Sequence, residues 1–415
     1  MKRLLKRILK PLKKSIEPAA YFFADAVYRL IPRDPPIFKG EVLGLNFIGY
    51  SKGEIGLGQA MRSMAWSAKA ALIPFLVRQF TVRITSKQLN HSLAAYSSDR
   101  CQYPVNLICI NPDMLYRLPF WVQRSEWSKT YNIGYWFWEL ENFPIAWKYA
   151  LHLVDEIWVA TDFIAHAMLK SGKRVVKIPF PLEFDMPPKH LDKAYFDLDP
   201  SEYTFLFSFN FDSVSERKNP QAVIAAFQLA FAKSDTPVRL ILKTMNGEHY
   251  PKFRKLLEDL IGGDPRIQFR DEYLTQDEMR GLTRSVDCYV SLHRAEGLGL
   301  GLAEAMYLGK PTIATDYSGN TDFMNSENSI LIPYELVPIP IGAYPNGFGQ
   351  RWAEPNINEA SIQMRRLASE KTIGEEIGRR AAKYIRDNHS YLKTGEAIKT
   401  ELERISRAPG GLSGN

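Results

Sequence analysis

Two glutamates eight positions apart, Glu296 and Glu304, bracket the densest chemical signal in the sequence: Ser291-Leu-His-Arg-Ala-Glu296-Gly-Leu-Gly-Leu-Gly-Leu-Ala-Glu304-Ala-Met, followed by Gly309-Lys-Pro. Glycine at 297, 299 and 301 lets a ligand approach the backbone closely. A helix opening there turns free N–H groups and the positive end of its dipole toward any anion. That arrangement suits a diphosphate. Glu296 at a strand end and Glu304 inside the first helical turn can point into one pocket and accept hydrogen bonds from sugar and ribose hydroxyls. Upstream, Phe211-Asp-Ser-Val-Ser-Glu-Arg217-Lys218-Asn-Pro places two adjacent cations between a strand and a helix. Beside a departing diphosphate such a pair stabilises the developing charge, the kind of effect that usually dominates catalysis. The plain alternative is two solvated loop charges.

Three further segments carry usable chemistry. Gly49-Tyr-Ser-Lys-Gly53-Glu-Ile-Gly56-Leu-Gly58 follows a strand and opens a helix with Arg62 one turn inside, a glycine-rich loop of a kind that many doubly wound domains carry. Gly134-Tyr-Trp-Phe-Trp138-Glu139-Leu-Glu141-Asn-Phe-Pro144 is rich in aromatics for a strand end. A sugar ring can stack on Trp138 while Glu139 accepts from its hydroxyls; core packing accounts for at least half of these aromatic residues. Asp316-Tyr-Ser-Gly-Asn320-Thr-Asp322 follows a later strand and adds Asn320.

The elements that must position these residues alternate short apolar runs with amphipathic stretches, the pattern of a parallel sheet covered by helices. The first half reads as strand 42–48, helix 58–72, strands 105–110, 132–138 and 156–160, helix 162–169 and an extended stretch at 175–179. Composition shifts to Pro and Asp at 184–200. The second half restarts with strand 204–209, helix 220–232, strand 238–243, helix 251–260 and strand 267–270. A capping box of Thr275 and Glu278 then opens a helix. Strand 287–292, helix 302–308 and strand 312–315 follow, with closing helices at 372–389 and 393–405. The expected division is an N-terminal extension at 1–38, one domain at 39–195, a second at 196–385, a helix at 386–408 that crosses back to the first domain, and a tail at 409–415. Two doubly wound α/β domains in series imply a cleft faced by the carboxyl ends of both sheets, where open α/β sheets bind ligands.

Composition narrows the classes further. The 415 residues are 45% hydrophobic and 24% charged, ordinary for a globular protein and incompatible with disorder or collagen. Three scattered cysteines, Cys101, Cys109 and Cys288, draw neither a disulfide framework nor a paired-cysteine zinc site, which fits a reducing compartment. The net charge of +7 equals the seven cations of residues 1–14, Lys2, Arg3, Lys6, Arg7, Lys10, Lys13 and Lys14. The rest is formally neutral and carries no nucleic-acid footprint. Leucine and isoleucine interleave with those cations, so residues 1–16 read either as an amphipathic segment for an anionic membrane surface or as a solvated terminus shortened by Pro11. No signal-peptide core follows them.

The Glu296 block resembles the glutamate-x7-glutamate signature of family 4 of the retaining glycosyltransferases, the glycosyl transferases of group 1. The resemblance runs through 42–400, specific in the second half and looser in the first. It implies the GT-B architecture of two Rossmann-like domains. It also implies that Glu296 faces the donor sugar, that the 297–300 amides lie near sugar and phosphates, and that Glu304 meets the ribose. Lys218 matches the family's diphosphate-gripping lysine. Where members carry the partner arginine this chain has Ser213, and Arg217 stands as its substitute. Ser318 replaces the first glycine of a Gly-Gly turn, and the histidine that many members bring from the first domain has no counterpart in the matching loop.

The resemblance implies a retaining transfer of a hexosyl group, mannose by similarity to bacterial polysaccharide-assembly enzymes, from a nucleoside diphosphate sugar to a glycan or lipid-linked acceptor; because Lys and Arg can neutralise phosphate themselves, no metal is expected. Catalysis would fall to Glu296, Lys218 and Arg217. The donor would be held by Gly56, Gly58, Gly297, Leu298, Gly299, Leu300, Glu304 and Asn320, and the acceptor by Glu139 and Trp138. The expected setting is the cytoplasmic face of the plasma membrane. Two rivals remain, a silent glycan-binding scaffold and a dinucleotide-dependent oxidoreductase, although residues 53–58 lack the full Gly-x-Gly-x-x-Gly fingerprint of the latter.

Overall fold

The computed structural model describes residues 20–31, 33, 38, 43–82 and 87–407. The basic segment 1–16, the start of the expected strand at Val42 and the tail 409–415 lie outside the described residues. Contacts divide the chain into two units: 1–137, 142–181 and 391–415 form one, and 138–141 with 182–390 form the other.

The first unit is built on six parallel strands: β1 (Leu45–Gly49), β2 (Phe75–Gln79), β3 (Val105–Cys109), β4 (Tyr131–Tyr135), β5 (Glu156–Val159) and β6 (Arg174–Lys177). They lie in the order β2-β1-β3-β4-β5-β6. Strand β2, short and preceded by Pro74, was not among the expected elements. Strands β1 and β3 are buried along their whole length, as a sheet covered on both faces requires. Three asparagines fix their register. Asn46 pairs with Asn106 and Asn106 with Asn132 across adjacent strands. Their amides run in series, Asn46 to Asn106 at 2.7 Å, Asn106 to Asn132 at 2.8 Å and Asn132 to the Trp127 carbonyl at 2.6 Å. A one-residue slip would strand all three amides in the core.

Helix α1 (Gly56–Ala70) follows β1, and the last helix, α10 (Tyr391–Arg407), packs against it. The approach is close: a Cβ on Gly395 would lie 2.2 Å from the Ser67 carbonyl. Arg404 anchors α10 to the buried Glu156 at 2.6 Å. A further helix at 20–30 buries Ala24 and Tyr28, and Tyr21 stacks on Tyr149 with centroids 5.4 Å apart.

The second unit holds β7 (Tyr203–Asn210), β8 (Val238–Met245), β9 (Ile267–Asp271), β10 (Cys288–Ser291), β11 (Thr312–Thr315) and β12 (Ile330–Ile332), in the order β12-β11-β10-β7-β8-β9. Its core is aromatic, with Phe205, Phe207, Phe211, Phe227 and Phe231 buried together. The helices that bear on the site are α4 (Pro220–Ala230), α6 (Gln276–Ser285) and α7 (Leu300–Tyr307), preceded by the single-turn α3 (Ser215–Lys218). Thr275 and Glu278 form the expected capping box, the Thr275 amide donating to the Glu278 carboxylate at 2.8 Å. An antiparallel hairpin, β13 (Tyr334–Pro338) with β14 (Arg351–Pro355), stands outside the main sheet and was not anticipated.

The units part at Pro181/Leu182 and again at Ser390/Tyr391, where the sequence suggested 195/196 and 385/386. The Pro- and Asp-rich stretch is the reason. Leu191 packs on Gly281 of α6, and the Arg284 guanidinium takes the carbonyls of Pro187 and Leu191 at 2.6 and 3.0 Å. A segment that composition marks as a linker thus belongs to the second unit.

Candidate functional site

In the second sheet the strand order reverses between β7 and β10, which pair directly. Loops leaving the carboxyl ends of strands at such a reversal open a crevice. The loop after β7 carries Arg217 and Lys218, and the loop after β10 carries Glu296. Their side chains meet: Lys218 Nζ donates to Glu296 Oε1, and Arg217 Nη1 lies 3.1 Å from Glu296 Oε2. The same guanidinium donates to the Ala295 carbonyl at 3.1 Å and reaches Glu139 Oε1 at 3.5 Å. Residues expected 78 and 157 positions apart in role as well as sequence therefore share one cluster with no net formal charge.

The electrostatics follow from burial. Glu296 is 7% exposed. Burial alone pushes its carboxyl up, but Lys218 and Arg217 outweigh that and hold it down at about 2. Arg217 is likewise opposed by burial and lifted by Glu296 and Glu139. Lys218 is lowered, by burial first, with Glu296 pulling back. With two cations in contact with one carboxylate, the cluster stays ionised.

The backbone holding the two cations is strained. Val214, a β-branched residue, sits at φ +58°, and Asn219 at φ +56°, so α3 is bracketed by two left-handed positions. Each such conformation costs about 1–3 kcal/mol and persists only where neighbours enforce it. Arg294 is the enforcing neighbour. Its amide donates to the Arg217 carbonyl at 2.7 Å, its Nη1 donates to the Glu216 carbonyl at 2.8 Å, and its other two nitrogens grip Glu354 at 2.6 and 3.0 Å. The guanidinium lies 5.3 Å from the Trp352 ring centre, so the unanticipated hairpin is what locks α3 in place.

The loop bearing Glu296 is held by its neighbour after β11. The Glu296 amide donates to Ser318 Oγ and the Gly319 amide donates to the Glu296 carbonyl, both at 2.9 Å. A Cβ on Gly319 would lie 2.1 Å from the Gly297 carbonyl, which restricts that position to glycine. Ser318 adopts φ +76°, a glycine-like conformation. Its hydroxyl bond to Glu296 explains why serine stands where a glycine turn was expected. His293 and Asn320 lie beneath. The His293 Nε2 faces two acceptors, the Tyr317 carbonyl at 3.2 Å and Asn320 Oδ1 at 3.0 Å, so it carries the proton, and Nδ1 accepts from Ser291 Oγ at 3.0 Å. Burial keeps this imidazole neutral. Asn320 also donates to the Thr315 carbonyl at 3.0 Å and is fully buried. Its side chain, expected near a donor, orients His293 under the loop.

Gly299 takes φ +87° as the residue before α7, and a Cβ on Gly301 would sit 2.5 Å from the Tyr289 hydroxyl. Glu304 on α7 meets Arg280 at 3.5 Å, and Arg280 stacks 3.9 Å from the Phe184 ring centre. The Tyr289 phenol ties the two glutamates to one neighbourhood. It is pushed up to about 12, by burial first and then by the charges of both Glu296 and Glu304, while its hydroxyl pairs with Ser208 at 2.7 Å.

Trp138 and Glu139, expected at an acceptor, are less open than the sequence suggested. Trp138 is 3% exposed with its ring edge against Tyr344, 5.8 Å between centres. Glu139 accepts from the Tyr344 hydroxyl at 2.7 Å. In the first unit, Gly58 lets α1 begin against the Gly53 carbonyl, which a Cβ would approach to 2.3 Å. Arg62 is spent within the loop, donating to the carbonyls of Ser51 and Gly53 at 3.0 and 2.9 Å. Nothing lies within 4 Å of a Cβ built on Gly56.

Residues 202–338, within the second unit, match the family described as Glycosyl transferases group 1. Among curated proteins, none matches the sequence. Solved structures share the fold at low identity. HepE of Anabaena in complex with UDP and glucose superposes with a TM-score of 0.64 at 13% identity, covering 87% of this chain and 99% of that one. Sucrose-phosphate synthase from Thermosynechococcus elongatus gives 0.64 at 13% identity over 88% and 100%. A glycosyltransferase from Rickettsia africae gives 0.62 at 13% identity over the same shares. The chain has the GT-B fold, with two parallel-sheet Rossmann-like domains.

Proposed function

We propose that the chain is a retaining glycosyltransferase that moves a hexosyl group from a nucleoside diphosphate sugar to a glycan or lipid-linked glycan acceptor. One observation carries the reading: Lys218 and Arg217 converge on the Glu296 carboxylate at the reversal point of the second sheet. A group 1 match over the same residues supports it, as do complexes of the similarly folded HepE with UDP-glucose. In this reading the two cations and the amides at 297–300 take the diphosphate. Glu296 takes hydroxyls of the donor sugar, and Glu304 takes the ribose. The acceptor oxygen bonds to the anomeric carbon on the face the diphosphate leaves, the bond to the phosphate oxygen breaks, and the acceptor proton passes to that oxygen. Excluding water protects the donor from hydrolysis.

Metal independence belongs to the same proposal, since Lys218 and Arg217 would themselves neutralise the phosphates. The chain has one Asp-x-Asp triplet, Asp197-Leu198-Asp199, but Asp199 accepts from the amide and hydroxyl of Ser201 at 2.8 and 2.7 Å. Full turnover in excess EDTA is the expected result.

The sequence resemblance points to a mannosyl donor and the solved complexes of HepE to UDP-glucose. A thermal-shift panel of GDP-mannose, UDP-glucose, UDP, GDP and NAD(P) separates these, followed by turnover with whichever stabilises. Stabilisation by NAD(P) alone would mark the oxidoreductase, and silence throughout the scaffold. Replacing Glu296 with Ala should abolish transfer while the fold survives; full turnover would discard the assignment.

A membrane-side setting rests on a separate observation. On helix 20–30 the inner residues Ala24 and Tyr28 are buried, while Phe22, Phe23 and Leu30 are 80%, 68% and 81% exposed. Seven cations precede this apolar face in residues 1–14. We place the protein peripherally on an anionic cytoplasmic surface, with each Lys or Arg near the lipid contributing about 1 kcal/mol. Cosedimentation with phosphatidylglycerol vesicles should fall with salt and with Phe22→Glu. Equal binding to neutral vesicles would refute it.

A further inference from the structure

The hairpin loop between β13 and β14 is compact and internally tied. The Ile339 amide donates to the Gln350 carbonyl at 3.0 Å, the Gly347 amide to the Tyr344 carbonyl at 3.1 Å, and the Gln350 amide to the Gly347 carbonyl at 3.0 Å. Asn346 supplies the left-handed residue that the turn needs, at φ +56°. At the centre of this loop Tyr344 is 9% exposed, although Ile341 and Phe348 on either side are 88% and 83% exposed. A loop that presents two large apolar side chains and buries its tyrosine has aimed the tyrosine at something.

Its target is Glu139. The Tyr344 hydroxyl donates to Glu139 Oε2 at 2.7 Å, and the other carboxylate oxygen faces Arg217 Nη2 at 3.5 Å. Arg217 in turn holds Glu296 at 3.1 Å. Two carboxylates thus flank one guanidinium. Glu296 is saturated by two cations, whereas Glu139 is 23% exposed at its side chain and has a single neutral donor on its outer oxygen. Burial, and after it the charge of Glu139, lifts the Tyr344 phenol well above its ordinary value, so it remains a proton donor at any working pH.

We propose that Tyr344 is a positioning residue for acceptor use. It fixes the Glu139 carboxylate in the orientation that accepts a hydrogen bond from an incoming sugar hydroxyl, and the loop 339–350 selects that acceptor. This rests on the glycosyltransferase reading above. The acceptor oxygen aligned by Glu139 forms the bond to the anomeric carbon as the bond to diphosphate breaks, its proton leaving on the diphosphate oxygen. When water takes the acceptor's place, the same cleavage yields free sugar and needs neither Tyr344 nor the loop.

The test compares transfer with donor hydrolysis in the full-length protein, using the donor that turns over in the panel and an acceptor glycan. Tyr344→Phe keeps the ring packed on Trp138 and removes only the hydroxyl. It should raise the acceptor KM and lower the transfer-to-hydrolysis ratio about tenfold, the scale of one hydrogen bond to a charged group. Donor KM and hydrolysis should stay unchanged. Glu139→Gln, which also removes a charge beside Arg217, should lower the transfer-to-hydrolysis ratio at least as far, and in that ratio the double variant should be no worse than Glu139→Gln. If Tyr344→Phe lowers transfer and hydrolysis together, or leaves the ratio unchanged, the proposal is overturned. Absence of donor cleavage by the unaltered protein would instead sink the parent reading, so the two failures are distinguishable.

Discussion

On the proposed reading one residue has two duties: the Glu296 carboxylate that would recognise the sugar also neutralises the cations that would recognise the diphosphate. Replacing Glu296 with Gln keeps the shape and removes one negative charge. Lys218 and Arg217, now in contact with that carboxylate, would face only Glu139 and a neutral amide. A diphosphate bridged to the carboxylate through a cation stands about two hydrogen-bond lengths away, roughly 6 Å. Like charges at that spacing repel by about 3 kcal/mol at an effective dielectric constant near 20. A nucleoside diphosphate carries no sugar, so losing the sugar contacts of Glu296 costs it nothing, and solvent screening takes back part of the electrostatic gain. A net gain of about 1.4–3 kcal/mol remains, or roughly ten- to hundredfold. Glu296→Gln should therefore bind UDP or GDP more tightly than the unaltered protein, by calorimetry at low salt, while transfer nearly disappears. Without ligand the variant should be less stable, since breaking a buried ion pair leaves an uncompensated charge, at a cost of about 3–5 kcal/mol. Equal or weaker diphosphate binding by Glu296→Gln, with Lys218→Met binding unchanged, would refute the view that these cations are the diphosphate site.

Four other outcomes follow from the same geometry. The depressed carboxyl of Glu296, about 2 against the ordinary 4.5, contributes stability that is complete above pH 4.5 and lost as pH falls toward 2. By linkage this amounts to about 3 kcal/mol and should be missing from the acid denaturation curve of Glu296→Gln. Arg294→Ala, which frees α3 from Glu354 and the Glu216 carbonyl, should weaken nucleoside diphosphate binding about tenfold, and Arg294→Lys should recover little because it cannot hold Glu354 with two nitrogens. Ser318→Ala keeps the φ +76° conformation but orphans the Glu296 amide, so it should cost about 1–3 kcal/mol in denaturant unfolding, whereas Ser318→Gly should be nearly neutral. Gly319→Ala should fold yet lose donor binding, because its Cβ drives into the Gly297 carbonyl that shapes the Glu296 loop; donor affinity by thermal shift checks it.

What could be read in advance was whatever the sequence holds in local order. Glu296 announced itself through glycines at 297, 299 and 301, whose spacing is the consequence of close backbone approach. Arg217 and Lys218 were visible because they follow a strand and precede Pro220, a helix-starting proline. The residues that make these groups work were not visible, since their partners lie far along the chain. Arg294 looks like any loop arginine until Glu354 arrives from a hairpin 60 positions on, and Tyr344 like a surface tyrosine until it meets Glu139 across 205. A faint signal existed: Tyr344-Pro-Asn-Gly347 is turn chemistry between two extended runs, enough to suggest a hairpin though not its target. Asn320, a polar residue beside a glycine loop, shows what local order leaves out. Its amide is consumed by His293 and Thr315, because a fully buried asparagine must satisfy both ends within the protein. The site thus has two layers of different legibility. The groups expected to touch a ligand are encoded by local spacing, and the groups that orient them are encoded only by the fold.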